Sequence, residues 1–125
     1  MSIPRFSSEA PMSDIAQALG DAGCVVVTDV MNDELRQSIR SEMDPHLAKA
    51  RVIEEDDPEE FYPGHTKRVT ALVARSESVT NQLMVHPITH NICETHLLPN
   101  SEFGYQLHVS AVLEVGPGAR GQVLH

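Results

Sequence analysis

Apolar residues in the first part of the chain recur at helical intervals. Between Ser13 and Gly23 they recur every three or four residues, at Ile15, Ala18, Leu19 and Ala22. This spacing predicts an amphipathic helix capped at Ser13 and ended by Gly23, because serine accepts amide hydrogen bonds at helix starts and glycine adopts the left-handed conformation at helix ends. A short apolar run at 24–28 then predicts a strand.

A second helix is predicted after Asn32, a capping residue that two acids follow directly. Its apolar residues fall on one helical face, at Leu35, Ile39 and Met43. Pro45 is expected to end or kink this helix, because proline lacks an amide N–H.

The middle of the chain alternates between strand-like and helix-like segments. Residues 67–74 are rich in β-branched and apolar residues and predict a strand. A helix capped at Ser76 or Ser78 follows, and Pro87 suits the first turn of another helix that extends to about Leu98.

The clearest strand pattern covers residues 103–115, where apolar and polar residues alternate and Gln106 and His108 fall on the polar side. The turn sequence GPGARG follows and leads into a further strand that has barely begun at the chain end. Because helices come first and strands accumulate late, we expect an α+β fold whose last sheet is incomplete, with an unpaired edge.

Length, charge and cysteine content narrow the class of protein. A chain of 125 residues is expected to form a single domain, 1–125. Its net charge of −9 disfavours nucleic acid or an anionic membrane as partner, because both require clustered positive charge. Two cysteines are too few for a disulfide framework, and we find neither a secretory signal nor a membrane span. A cytoplasmic location is expected.

Two further clusters could bind cations. Six acids fall within residues 54–60, but a calcium loop would need glycine and regular ligand spacing, so a solvated loop is favoured. The sequence HPITHNICETH places a zinc-ligand set close together, at His86, His90, Cys93 and His96. Pro87 makes His86 a capping residue, however, and Cys93 is not on the face of His90, so surface imidazoles on a helix are favoured.

Three phrases carry a family resemblance: TKRVTALVARS, HPITHNICETHLL and YQLHVSAVLEVGPGARGQVLH. Together and in this order they resemble the N-terminal half of phytanoyl-CoA dioxygenase-like Fe(II)/2-oxoglutarate-dependent oxygenases, closest to the branch that tailors microbial and fungal secondary metabolites. The resemblance covers residues 13–125 and is most specific at 103–125. It implies N-terminal helices followed by the first strands of a double-stranded β-helix, or jelly roll.

The resemblance also implies roles for single residues. His125 resembles the first of three iron ligands, with an aspartate and a second histidine placed after it. Gln122 resembles a glutamine that hydrogen-bonds 2-oxoglutarate, which requires a bend because positions 122 and 125 fall on opposite faces of an ideal strand. Arg68 resembles an arginine that reaches the co-substrate in some members, although a surface arginine paired with the acidic loop is an equally good interpretation. Gln106 and His108 are candidates for the substrate pocket, and a structural role is favoured for the latter.

The implied activity is oxidation of a small organic substrate by O₂, with conversion of 2-oxoglutarate to succinate and CO₂. Because one imidazole cannot hold Fe(II) with useful affinity, the 125-residue chain alone is expected to be inactive, and no catalytic residue beyond the metal ligand is assigned. Two alternatives stay open. One is a non-catalytic scaffold or interaction protein derived from this fold, whose strand edge is protected in a homo-oligomer. The other is a metal-binding module built on His86, His90 and His96.

Overall fold

The computed structural model describes residues 2–53 and 63–121. Within these ranges the helices α1–α3 are Met12–Ala22, Asp33–Lys49 and Pro87–Ile92. The strands β1–β5 are Arg5–Ser7, Val26–Thr28, Val52–Ile53, Thr66–Thr70 and Ala111–Val115. There are also a first π segment, Val79–Leu83, a second π segment, Cys93–Leu97, and the 3₁₀ turns Leu72–Ala74 and Leu98–Asn100.

Strands β1 and β2 pair in parallel, and α1 is the crossover that such a pair requires. Helix α1 begins after Pro11, so Ser13 lies inside its first turn and the predicted cap at Ser13 is wrong. Gly23 ends the helix as predicted. Its φ of 73° is left-handed, and its N–H donates to the carbonyl four residues earlier at 2.9 Å.

Helix α2 begins as the sequence predicts. The Asn32 side chain accepts a hydrogen bond from the Leu35 N–H at 2.8 Å, and Leu35 and Met43 are buried. Pro45 lies inside the helix, which continues to Lys49, so the helix does not end at Pro45. Proline removes one amide donor, but the residues after it keep theirs and can bond to carbonyls of the preceding turn.

Strands β3, β4 and β5 form an antiparallel sheet in that order. Val69 of β4 lies opposite Val112 of β5 and is buried, and β4 also contacts α2. Beside this pair, Lys67 and Glu114 form an ion pair across the two strands, with 3.0 Å between Nζ and Oε1. Strand β4 therefore connects the sheet to the helical part of the fold.

The strands predicted at 67–74 and 103–115 are both shorter in the structure. Ala71 has a left-handed φ of 58° and turns the chain away, so β4 ends one residue earlier. Because β5 pairs with β4, its ladder starts at Ala111, opposite Thr70, and the residues before it have no strand partner in the described part of the chain. Alternation of apolar and polar residues cannot reveal this, since a strand also needs a hydrogen-bonded neighbour.

The helical stretch after β4, residues 77–100, is capped by side chains that the sequence identifies. The Ser76 Oγ accepts a hydrogen bond from the Val79 N–H at 3.0 Å, which confirms the first of the two predicted caps. Pro87 opens α3, and the Nδ1 atom of His86 accepts from the Ile88 N–H at 3.2 Å. His86 is therefore a capping residue, as its position before Pro87 predicts.

The core of the described residues is small, and α1, α2, β4, the first π segment and α3 each contribute one or two side chains to it. Its buried apolar members are Ile15, Ala16, Leu35, Met43, Val69, Val79 and Ile88. Helix α1 contacts α3 and the second π segment, and these three elements form a helical layer. The described residues thus mix helix and strand, and the jelly-roll core stays a prediction. None of the helices described is long and apolar enough to cross a membrane.

Candidate functional site

Arg68, the predicted co-substrate residue, lies in the middle of β4 and is exposed. It lies opposite Leu113 of β5, and directly opposite residues of an antiparallel pair lie on the same face of the sheet. Val115 shares this face, and Leu113 and Val115 are 46% and 60% exposed. Arg68 therefore belongs to a sheet face that carries exposed apolar side chains.

The GPGARG turn begins where β5 ends and is anchored to His65. The His65 N–H donates to the Ile53 carbonyl at 2.6 Å, and the His65 carbonyl accepts from the Gly116 N–H at 2.8 Å. His65 itself has a left-handed φ of 60°, a conformation that surrounding contacts must maintain. It thus ties the ends of all three strands together at one corner. Gln122 and His125 follow this turn and lie outside the described residues.

We expect Gly116→Ala to lower the free energy of unfolding by about 1–3 kcal/mol, as overpacking does. A Cβ atom at this position would lie 2.9 Å from the carbonyl oxygen of His65, and a backbone atom cannot rotate away. Urea denaturation of both forms measures the effect. Gly121→Ala is the matched control, because its Cβ would meet no atom of the described residues within 4 Å, and it should change stability by less than about 0.5 kcal/mol. Equal losses in the two variants would refute the crowding argument.

Gln106 and His108, the predicted pocket residues, are both exposed and lie in the segment between Gly104 and β5. Gln106 lines a cavity of about 330 Å³, whereas His108 is not among its lining residues. The wall of this cavity consists of Met84, Thr89, His90, Cys93, Leu97, Tyr105, Gln106 and Leu107. The structure therefore brings one of the two predicted pocket residues to a cavity.

A hydrogen-bonded cluster joins α2 to the helical stretch after β4, and sequence reasoning missed it. The Glu42 carboxylate accepts hydrogen bonds from the Ser76 hydroxyl, from the Ser78 hydroxyl at 2.7 Å and from the Ser78 N–H at 3.2 Å. The hydroxyl of Ser76, followed by that of Ser78, lowers the pKa of Glu42 because both bonds favour the charged form, and they outweigh the opposing effect of desolvation. The sequence identifies the two serines only as candidate helix caps. Glu42 lies 34 residues before Ser76, so only the tertiary fold reveals the pairing.

This cluster predicts a loss of stability in acid. A carboxyl group with a lowered pKa stabilises the fold above its unfolded pKa, near its usual 4.5, and this contribution disappears as the pH falls through the lower folded value. The stability difference between the wild type and Glu42→Gln should therefore be largest above pH 5 and shrink below about pH 4.5. Urea denaturation across this pH range measures it, with Glu34→Gln at an exposed position of α2 as the control. A difference that is constant with pH would contradict the assignment.

The described residues contain no group of three or more His, Cys, Asp or Glu side chains that could hold a metal ion. Two members of the predicted zinc cluster are already engaged, since His86 caps α3 and the Nε2 atom of His96 lies 2.9 Å from the Ala16 carbonyl oxygen. These residues therefore give no support to the histidine-based module. They do not form an iron site by themselves either, and the predicted ligand His125 is not among them.

No family model matches the chain. It is similar to dioxygenase aneA of Aspergillus aculeatus, with 32% identity over 124 residues that cover 97% of this chain and 41% of the relative. It is 35% identical to dioxygenase olcK of Penicillium canescens over 121 residues, 93% of this chain and 39% of that relative. It is 28% identical to the multifunctional dioxygenase prhA of Penicillium brasilianum over 124 residues, 98% of this chain and 40% of that relative. These relatives are fungal dioxygenases.

The chain spans about two fifths of the length of these relatives, and the similarity extends over nearly all of its own length. The similar region therefore covers the helices as well as the antiparallel pair of β4 and β5. The names of these relatives describe them as dioxygenases, which are oxidoreductases that use O₂.

Proposed function

We propose that this chain is part of an Fe(II)/2-oxoglutarate-dependent oxygenase of the phytanoyl-CoA dioxygenase-like family, with a jelly-roll core. The similarity of nearly the whole chain to fungal dioxygenases carries the proposal. The assignment of iron and 2-oxoglutarate rests on the resemblance of residues 103–125 to the region around the first iron ligand of that family. The substrate is a small organic molecule of the secondary-metabolite type, oxidised with release of succinate and CO₂.

In this proposal His125 is an iron ligand, and Gln122 and Arg68 bind 2-oxoglutarate. Arg68 lies opposite Leu113 of β5, and the turn at Gly116 directly follows β5. Arg68 therefore lies on the strand that pairs with the segment leading to Gln122 and His125. An arginine in the middle of a paired strand is held by the sheet and suits a carboxylate ligand. We expect the 125-residue chain alone to be inactive, because one imidazole cannot hold Fe(II) with useful affinity. We place the enzyme in the cytoplasm.

The proposal is tested with a composite enzyme in which this chain replaces the matching part of the Penicillium canescens dioxygenase olcK. With Fe(II), 2-oxoglutarate and O₂, we expect succinate to accumulate. Succinate should fall to background when iron is chelated or 2-oxoglutarate is omitted. The olcK dioxygenase itself is the positive control, and the 125-residue chain alone should give no succinate. A folded composite enzyme that forms none under conditions where the olcK dioxygenase does would overturn the proposal.

A further inference from the structure

We infer that the cavity beside Gln106 is a binding site for a small, mainly hydrocarbon molecule that carries an oxygen-containing polar group. The cavity lies between the helical stretch and the segment just after Gly104. Its volume of about 330 Å³ is within the range of small-molecule sites and too small for a helix or a strand of a protein partner.

The chemistry of the wall defines the class of ligand. Most of the wall is apolar, formed by the side chains of Met84, Cys93, Leu97, Tyr105 and Leu107. The polar groups are fewer. The Thr89 hydroxyl is directed to the Leu83 carbonyl at 3.4 Å, which leaves the Gln106 amide, the His90 imidazole and the Tyr105 hydroxyl as the polar groups of the described wall that suit a ligand. An apolar wall with few polar groups suits a carbon skeleton with a carbonyl or a hydroxyl group.

The backbone around the cavity points to a ligand as well. Cys93 and Leu97 are the first and last residues of the second π segment, and Met84 directly follows the first π segment. π-helical turns are rare and occur frequently at functional sites. The second π segment thus supplies two wall residues of this cavity, and the residue after the first π segment supplies a third.

The mouth of the cavity exposes apolar surface that a ligand would cover. Leu97 and Leu107 are 51% and 49% exposed, and Tyr105 is 39% exposed. Apolar side chains that converge on a concave surface mark binding sites, whereas those scattered over a convex surface do not. A compact ligand inside the cavity would remove part of all three side chains from water, which favours binding.

We take the ligand of this cavity to be the substrate of the oxygenase, and this identification rests on the proposed function. Binding itself needs neither metal nor co-substrate, because the wall contains neither. The test is therefore performed on the 125-residue chain in the presence of a chelator and without 2-oxoglutarate. Its outcome is independent of succinate formation by the composite enzyme.

The probe is camphor, a compact cyclic ketone, and the readout is the alkylation rate of Cys93 by N-ethylmaleimide. Cys93 lines the cavity, whereas Cys24 is exposed outside it and serves as internal control in the same molecule. Mass spectrometry of the two cysteine peptides gives both rates. We expect saturating camphor to slow alkylation of Cys93 at least about fivefold and to leave the rate of Cys24 unchanged.

Two neighbouring leucines provide matched variants. Leu97 lines the cavity and Leu98 does not, and both are roughly half exposed, so neither substitution should unfold the chain. Leu97→Asn should raise the camphor concentration that gives half-maximal protection of Cys93 about tenfold. Leu98→Asn should change this concentration less than about twofold. Unchanged alkylation of Cys93, or equal effects of the two variants, would overturn the inference. If camphor protects Cys93 but the composite enzyme forms no succinate, the binding site is retained and the proposed function is rejected.

Discussion

In the composite enzyme, His125→Ala should reduce 2-oxoglutarate-dependent succinate formation at least about 100-fold. Removing a residue that hydrogen-bonds a metal ligand typically lowers metal affinity or activity about 10- to 100-fold. Removing the ligand itself should cost no less. Fe(II) binding, measured by equilibrium dialysis, should weaken in parallel because affinity depends on ligand number and placement. Succinate and iron binding are measured on the same preparation.

His90→Ala is the control for this variant. His90 is an exposed histidine of α3 and belongs to the alternative metal-binding cluster, in which its loss would abolish metal binding. We expect iron binding, and the succinate formed without any organic substrate, to persist in His90→Ala. The opposite pattern, with metal binding lost in His90→Ala and kept in His125→Ala, would favour the histidine-based module and reject the iron ligand.

Ile15→Ala should lower the free energy of unfolding by about 2–5 kcal/mol. Ile15 is 1% exposed and lies on α1, the helix that contacts α3 and the second π segment. The substitution removes three carbon atoms from a packed interior and leaves a cavity, so the cost exceeds that of transfer alone. Urea denaturation followed by far-ultraviolet circular dichroism measures it.

Ile3→Ala makes the same chemical change at a residue that is 55% exposed, and it should alter stability by less than about 0.5 kcal/mol. Since α1 holds the helical layer that carries the cavity wall, Ile15→Ala should also make Cys93 more reactive toward N-ethylmaleimide. A loss below about 1 kcal/mol for Ile15→Ala, close to that of Ile3→Ala, would show that α1 does not pack as the structure has it.

Local signals in the sequence were reliable where a side chain acts on its own segment. Asn32, Ser76 and Gly23 each start or end a helix as predicted, because capping depends on backbone groups within a few residues. Pro87 and His86 behave in the same way at the start of α3. The error at Ser13 is equally local, since the observed cap position, Pro11, lies two residues earlier.

The candidate site was only partly predictable. The alternating pattern placed Gln106 on a polar side, and the structure brings it to a cavity, but five of the other seven wall residues come from residues 84–97. Such a wall depends on how two helical segments and an extended segment pack. The anchoring of the GPGARG turn by His65 likewise joins residues about 50 positions apart, which no local pattern specifies.

By itself the sequence determined the helix boundaries set by caps, the acidic charge that disfavours nucleic acid, and the resemblance to an oxygenase family. Tertiary structure alone decided the lengths of β4 and β5, the cluster of Glu42 with Ser76 and Ser78, and the cavity beside Gln106. The physical reason is the range of the interactions. Caps and turns are satisfied within one turn of chain, whereas strand partners, long-range carboxylate hydrogen bonds and cavity walls require residues that only folding brings together.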